Sequence, residues 1–423
     1  MSPPATDGWV RLHPLSPVLR GGRLVIPAVL VTAQATARGG STGVRLAVFT
    51  ALVTFGAVAA IVSWLVTRWR VDGGTLRIET GLVRRDSRQI PLSRLQAVDI
   101  VRPLLGRVLG LSELRLRLAG SHHGDARLAY LAEGSAEILR ARLLALAHGL
   151  AEETPAPAEL PLFHLPAPRL LASTALSALG LTGAALVVVA VTVVTISPPA
   201  AGAFLAPVVG LWVTAWRRLN SEFDFAVAEA PDGLRLRAGL LETRAETIPY
   251  GRVQAVRISE PLVWRAAGWC RVEVDVAGQG QVRRGDQEGR RVTRALMPVG
   301  SRDQALGLVS RVMPWPLPAS TRPPRRARLK SPLRYHFLAA GFDGRAAITQ
   351  SGRVCRATDV VPLAKVQSIR WVQGPLQRRL RLATLHLDTA GRNVHAVLRD
   401  RDAAEADWMM RQLTDLCRAA RRR

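Results

Sequence analysis

Two long stretches without a charged side chain constrain this chain more than any other feature. Residues 46–67 and 170–216 together hold 69 positions and no Asp, Glu, Lys or Arg, although 58 of the 423 residues are basic. At that frequency about nine basic residues would be expected there. A helix needs roughly 20 apolar residues to cross the hydrocarbon core of a bilayer. The sequence therefore predicts an integral membrane protein.

Residues 46–67 predict one crossing, and the shorter segment 24–37 before them predicts another. The longer segment has Trp64 and Trp69 at one end, where an interfacial aromatic belt is expected. The shorter one lies between arginines, whose side chains can snorkel from the ends of a tilted helix. An interfacial helix is its alternative interpretation. Because a glycine-rich reversal connects the two segments, we predict a transmembrane hairpin over 23–67.

Residues 170–216 predict a second hairpin, because they are too long for one crossing. Pro198 and Pro199 interrupt them, and a double proline ends a helix. We therefore predict one helix over 170–196 and a returning helix over 200–216. Two tryptophans mark the interface at the end of the returning helix: Trp212 and Trp216.

The distribution of arginines gives the orientation of the predicted hairpins in the membrane. The short connection 38–45 holds two arginines and 197–199 holds none, whereas the outer flanks of the hairpins hold seven. The positive-inside rule then puts both termini and all large polar segments in the cytoplasm.

The N-terminus lacks the charged leader of a cleavable signal peptide. Three widely spaced cysteines exclude a disulfide framework and fit a reducing compartment.

The polar segments contain one motif three times. In each copy a proline follows a glycine by ten residues, and a basic residue and a glutamine follow that proline by three and five. A second proline, followed by leucine, comes next. The positions are Gly81, Pro91, Gln96 and Pro103 in the first copy, Gly239, Pro249, Gln254 and Pro261 in the second, and Gly352, Pro362, Gln367 and Pro375 in the third. This pattern indicates one module used three times.

Each copy predicts short strands followed by one amphipathic helix. In the first copy Leu76 and Ile78 alternate before Gly81. Four short strands are predicted after it, namely 87–90, 96–101, 114–118 and 127–130. The apolar period then changes from two to about 3.6, with Leu139 and Leu143 on one helical face. Met409 and Leu413 repeat this change in the third copy. We predict a small barrel or sandwich with the helix over its open end.

Membrane hairpins followed by this repeated motif resemble the bacterial PH-like domain membrane proteins of the YdbS/YdbT type. Residues 373–389 look especially like the last module of the three-module YdbT form. The resemblance implies an α+β membrane protein with four transmembrane helices in two hairpins, and three PH-like β-barrel domains that each have a C-terminal helix. It also implies no known enzymatic activity.

The predicted domains follow the hairpins and the motif copies. A further hairpin is expected before the third copy, but a basic, proline-rich linker stands there instead. The boundaries are an N-terminal segment at 1–22, hairpins at 23–67 and 170–216, PH-like domains at 68–150, 217–312 and 335–423, and linkers at 151–169 and 313–334.

The repeated prolines and glutamines have two interpretations. A proline at a strand edge stops pairing, and a buried glutamine satisfies stray backbone groups, so the motif can be structural. The alternative is a ligand site. A catalytic group is expected once rather than three times at one structural position, and this favours the structural interpretation.

The basic linker also has two interpretations. Six of its cations could attract anionic lipid, at about 1 kcal/mol for each cation near the surface. They are Arg322, Arg325, Arg326, Arg328, Lys330 and Arg334. The alternative is a solvated linker in a chain that uses arginine everywhere.

The remaining motifs do not indicate a metal, nucleotide, nucleic-acid or catalytic site. His122 and His123 near Asp125 lack a third ligand at metal spacing, so a solvated loop is expected. The glycines around Gln279 lack the spacing of a dinucleotide or phosphate loop. The net charge of +26 invites a nucleic-acid interpretation, but aromatic residues make up only 5% and do not alternate with the cations. No metalloprotease, serine-hydrolase or paired-cysteine motif occurs.

Taken together, the sequence predicts a non-catalytic, multi-pass protein of the cytoplasmic membrane, without a cofactor. Its three cytoplasmic PH-like domains are expected to form a membrane-proximal platform that binds another membrane or cytoplasmic protein, or a second copy of itself. The alternative is recognition of anionic lipid or another membrane-active amphiphile by these domains and the basic linker.

Overall fold

A computed structural model describes most of the chain, in two compact units. The first unit is Met1–Pro157 with Leu241–Glu246, and the second is Ala158–Leu240 with Thr247–Arg423. The described residues are 9–11, 13–17, 42–72, 74–81, 86–118, 126–147, 159–197, 201–231, 233–276, 294–391 and 394–422. The predicted span at 24–37 lies outside them.

The first unit combines short antiparallel strands with one long apolar helix and a terminal helix. Its elements are β1 (Val10–Arg11), α1 (Thr42–Val66), β2 (Arg68–Asp72), β3 (Thr75–Thr80), β4 (Asp86–Pro91), β5 (Leu95–Pro103), α2 (Leu104–Val108), β6 (Leu111–Leu118), β7 (Ala126–Ala132) and α3 (Glu133–Ala147). One sheet has the order β1-β2-β3-β4, and β5, β6 and β7 are successive neighbours in another. Leu76 of the first sheet and Leu114 of the second pack in one core, which Leu143 of α3 helps to close.

The second unit holds two modules in tandem. The elements as far as the end of the first of these are β8 (Leu160–His164), α4 (Ala167–Ala175), α5 (Ala178–Ile196), α6 (Ala201–Glu222), β9 (Ala226–Ala230), β10 (Gly233–Ala238), β11 (Glu242–Ile248), β12 (Val253–Pro261), α7 (Leu262–Ala266), β13 (Trp269–Val276), β14 (Arg294–Ser301) and α8 (Arg302–Val312). The rest are α9 (Ala327–Lys330), β15 (Ala339–Phe342), β16 (Ala346–Ser351), β17 (Cys355–Pro362), β18 (Val366–Val372), α10 (Pro375–Arg379), β19 (Leu382–Thr389), β20 (Ala396–Asp402) and α11 (Ala403–Arg422). Residues 242–246 of β11 are counted with the first unit.

A six-stranded sheet runs through both modules of the second unit. Its order is β14-β13-β12-β17-β16-β15, and β18-β19-β20 form a separate three-stranded sheet. In the third module Val361 and Leu385 come from the two facing sheets and share one core, which Met409 and Leu413 of α11 cover. The helix buries an apolar stripe at 3.6-residue spacing, as the change of period predicts.

Two of the described helices are long and apolar enough to cross a membrane, judged by length and composition. They cover Leu46–Val66 within α1 and Ala178–Ile196, which is α5. The helix after α5, α6, packs against it but does not reach this measure. It contains Pro207, and charged residues begin directly after Trp216. Of the three predicted crossings that fall on described residues, two are therefore candidates by this measure.

The predicted helix 170–196 is wrong at its beginning. Leu170 lies in α4, is buried and packs in the core of the second module. The helix breaks at Leu176 and Ser177, where the Ser177 hydroxyl accepts a hydrogen bond from the Gly180 amide and caps α5. The uncharged segment 170–196 therefore lies partly in a module core and partly in a separate apolar helix.

The tryptophans predicted at the membrane interface also lie in two different environments. Trp69 is buried in the core of the first module, because β2 begins directly after α1. Trp212 and Trp216 lie one turn apart on α6, with 64% and 40% of their surfaces exposed, and their rings stack with centroids 6.0 Å apart. The prediction of an interfacial Trp69 is therefore wrong.

Replacing Gly352 by alanine tests the turn that the motif glycine forms. Its φ is +95°, and a Cβ would collide with the carbonyl oxygen of Cys355. Gly352→Ala in the full chain is expected to lower the free energy of unfolding by about 1–3 kcal/mol. The control is Gly344→Ala, where a Cβ meets no atom within 4 Å. Denaturation followed by tryptophan fluorescence measures both, and equal effects would contradict the strained-turn interpretation.

Candidate functional site

Each copy of the motif builds the same corner. The glycine has a positive φ, where residues with a Cβ are strained. The values are 103° at Gly81, 122° at Gly239 and 95° at Gly352. The first proline ends a strand or directly follows it, has a φ near −60°, and leads into one 3₁₀ turn. These turns are Leu92–Arg94 after Pro91, Tyr250–Arg252 after Pro249 and Leu363–Lys365 after Pro362. The motif thus turns the chain from one sheet of the module to the other.

The glutamines do not share one environment. Gln254 is buried, and its side-chain amide donates to the backbone carbonyl of Arg252 at 3.2 Å, as the structural interpretation expects. Gln367 is exposed on β18, so burial of this glutamine is a wrong expectation. The side chain of Gln96 lies outside the described part of the chain. The second prolines begin or directly precede short helices: Pro103 before α2, Pro261 before α7 and Pro375 in α10.

Neighbouring copies are joined by strand pairing. We call the strand that leads to the first motif proline the leading strand (β4, β11 and β17), and the strand that carries the motif glutamine the trailing strand (β5, β12 and β18). β12 of the second copy pairs antiparallel with β17 of the third. β5 of the first copy pairs antiparallel with residues 242–245 of β11. We call each such pairing a strand joint.

Both strand joints have the same register. Ile258 pairs with Thr358 in one, and Ile100 pairs with Ala245 in the other. In each case the residue four positions after the motif glutamine faces the residue four positions before the next copy's first proline. The register is therefore a property of the repeated module and occurs twice independently.

A charged pair reinforces the joint between β12 and β17. The guanidinium of Arg257 donates from Nε and Nη2 to the two carboxylate oxygens of Asp359, at 2.6 and 2.9 Å. Asp359 is buried, and this hydrogen bond raises the pKa of Arg257. Bidentate pairs of this kind are strong and directional, so the pair holds the register as well as adding stability.

Two strands of the repeat have no strand neighbour on one side among the residues described. The leading strand β4 lies at the end of its sheet beside β3, and the trailing strand β18 lies at the end of its sheet beside β19. Asp86 to Gln89 of β4 are exposed. The joint position of β18 is Trp371, which is 41% exposed, whereas its equivalents Ile100 and Ile258 are 3% and 6% exposed. The third copy thus presents an apolar edge that the other two copies bury.

The predicted linker 313–334 is attached to the modules at several positions. Met313 is buried in the core of the second module. Thr321 exchanges backbone hydrogen bonds with Ala340, at 2.9 and 3.0 Å. The buried side chain of Arg401 donates to the Thr321 carbonyl at 2.9 Å. Met313 and Thr321 therefore attach this segment to the second and third modules.

Two of the predicted lipid-binding cations have carboxylate partners. Lys330 pairs with the buried Asp400, which also accepts from the hydroxyl of Ser331 at 2.9 Å. Arg326 pairs with Asp402. The other four cations are exposed, namely Arg322, Arg325, Arg328 and Arg334. Among them stand Leu329 and Leu333, with 74% and 67% of their surfaces exposed.

The described residues offer no assembled reactive centre. They contain no group of three or more His, Cys, Asp or Glu side chains that could hold a metal ion. Burial raises the pKa of the Cys270 thiol to about 12, which keeps it protonated and unreactive at neutral pH. The histidine pair at 122–123 and the glycine-rich segment at 278–291 lie outside the described residues.

Arg257, Asp359 and Trp371 are not recognisable as residues of a site from the sequence of one copy. Aligning the three copies carried a signal, since the position four after the glutamine is apolar in each. The pairing itself joins separate copies of the module, and periodicity within one copy cannot reveal it.

Replacing Asp359 by asparagine tests the charged pair of the joint. The full chain with Asp359→Asn is expected to lose about 1–3 kcal/mol of unfolding free energy, because Arg257 keeps its charge without the buried carboxylate. The control is Asp407→Asn, which removes an exposed pair with Arg411 on one helix and should change stability far less. Denaturation curves measure both, and an unchanged Asp359→Asn variant would contradict a stabilising pair.

Comparison with known proteins places these modules in a family. The model of the bacterial PH domain family matches residues 23–147, 176–311 and 304–416, so one match falls on each motif copy. No curated protein and no solved structure matches the chain. The matches cover far more than half of the sequence, and the mixed strands and helices of each module agree with them. The chain therefore belongs to the bacterial PH domain family and carries three copies of the domain.

Proposed function

We propose that this chain is a non-catalytic, multi-pass protein of the cytoplasmic membrane, of the three-module YdbS/YdbT type. Its PH domains face the cytoplasm and act as a membrane-proximal platform for binding another protein or a second copy of the chain. The motif pattern and the arginine distribution support the type and the orientation.

The exposed sheet edges carry this proposal. Pairing between a trailing and a leading strand is the means by which the domains already recognise one another. β4 and β18 are the leading and trailing strands that no such pairing covers among the described residues. An exposed strand offers a row of backbone donors and acceptors, and an added strand satisfies them while side-chain positions provide specificity.

The apolar helices support a place in the membrane. No residue of α5 is buried against the protein, and side chains such as Val188 and Ile196 are 65% and 80% exposed. A helix that is apolar all round and exposed to this degree is stable in hydrocarbon and unfavourable in water.

Cross-linking in intact membranes tests the platform. A tagged full-length chain is cross-linked in its native membrane, purified and examined by mass spectrometry. We expect reproducible cross-links from β4 or β18 to another polypeptide or to a second copy, because no described strand of the chain pairs with these edges. Membranes without the tagged chain provide the control, and recovery of the monomer alone would contradict the proposal.

A second candidate function rests on the exposed part of the linker. Leu329 and Leu333 stand among exposed arginines, a combination that suits the boundary between anionic headgroups and acyl chains. This surface could hold the third domain against the inner leaflet, where no hairpin precedes it. Arg326 and Lys330 are not part of it, since their partners are Asp402 and Asp400.

An environment-sensitive fluorophore tests this surface in the reconstituted full chain. The label is attached through Leu329→Cys, with Cys355→Ser removing the exposed native thiol. We expect a blue shift in vesicles that contain anionic lipid, and its loss at high salt or after Arg325, Arg328 and Arg334 are replaced by alanine. A label at Val354, also exposed at 70%, is the control. Equal spectra in anionic and zwitterionic vesicles would exclude lipid contact here.

A further inference from the structure

We propose that copies of this chain join head to tail, with β18 of one copy adding to β4 of the next in the register of the internal strand joints. This inference rests on the proposed platform and names its partner as a second copy. The two edges are unlike, one trailing and one leading, and each is the type of strand that the other type pairs with inside the chain.

The internal joints fix the register between copies. Counting four positions after Gln367 gives Trp371, and counting four positions before Pro91 gives Ser87. Trp371 would therefore face Ser87, and Val372 would face Asp86. In the internal joints a large apolar residue faces a small one, as Ile100 faces Ala245 and Ile258 faces Thr358. The pair of Trp371 and Ser87 repeats this combination of sizes.

Burial at this position supports occupation of the edge. Both internal equivalents of Trp371, Ile100 and Ile258, are almost fully buried in module cores on strands that carry a joint, whereas Trp371 and the adjacent Val372 remain 41% and 43% exposed in the single chain. Large aromatic residues that become buried at the centre of a contact supply much of its binding energy. A leading strand from a second copy would cover both side chains.

Charge makes this contact weaker than the internal joint. The register that sets Arg257 against Asp359 sets Arg370 against Arg88 between copies, and like charges directly opposite are unfavourable. Each arginine has its own carboxylate, since Arg370 donates to Asp388 at 2.6 and 3.0 Å and Arg88 lies 3.4 Å from Asp86. The contact is therefore reversible, and a carboxylate at position 88 should strengthen it.

The contact does not close on itself. Because it uses two different edges, each added copy presents a fresh β18 or β4, and repetition gives rings or linear arrays. We therefore expect a series of oligomers whose distribution depends on the density of the protein in the membrane.

Paired cysteines in the full-length chain test the register. Asp86→Cys is placed in one chain and Val372→Cys in another, both with Cys355→Ser, and the two are reconstituted together in lipid. Opposed residues of antiparallel strands lie within reach of a disulfide. We expect a disulfide-linked dimer from the mixture and none from either chain alone. The matched control replaces Asp86→Cys with Arg88→Cys, two residues out of register, and should give little dimer.

Substitutions at the edge give the second measurement. Trp371→Asp in the Val372→Cys chain should lower the dimer yield about tenfold, as removal of a buried anchor does. Arg88→Asp in the Asp86→Cys chain should raise it. Each side chain is exposed in the single chain, so both variants are expected to unfold at the same midpoint as the parent chain. Unchanged midpoints show that both variants are folded.

The outcomes separate this inference from the platform itself. Equal yields in and out of register, or no dimer, overturn head-to-tail joining. Cross-links from Val372→Cys to a different polypeptide in native membranes also overturn it, while leaving the platform intact. A chain that gives neither kind of cross-link contradicts both.

Discussion

The backbone hydrogen bonds at the edges of short sheets govern this structure. A three-stranded sheet has two edges, and each leaves a row of N–H and C=O groups that must be paired or exposed to water. At the motif proline the chain passes from one sheet of the module to the other. The strands before and after the proline therefore pair with different neighbours. The trailing strand of one copy then pairs with the leading strand of the next, and the six-stranded sheet of the second unit results.

This arrangement makes the modules interdependent. β12 is covered on one side by β13 and on the other by β17, which belongs to the following copy. Ala255 packs in the core of the third module, and Ile348 packs in the core that the second module dominates. Cutting the chain between these copies would expose both a sheet edge and apolar side chains. The second and third domains are better understood as one cooperative body than as separate units on a string.

Much of the local structure follows from the sequence alone. The strands of the first copy, the corner at each motif glycine and the closing helix are short-range features, and apolar alternation, the repeated glycine and 3.6-residue spacing reveal them. Environments set by distant segments were harder to predict. Trp69 and Leu170 resemble membrane residues in composition, yet β2 and α4 place them in module cores. Likewise, Arg326 and Lys330 look like free cations until the fold brings Asp402 and Asp400 to them. The partner of each strand edge lies in another copy of the motif, and no pattern within one copy shows it.

The junction between α4 and α5 has a mechanical consequence. Leu170 anchors α4 in the core of the second module, and only Leu176 and Ser177 separate this helix from the apolar α5. Such a short connection leaves no slack to absorb movement. In the proposed membrane arrangement, a tilt of α5 would therefore be passed on through α4 to the core of the second module.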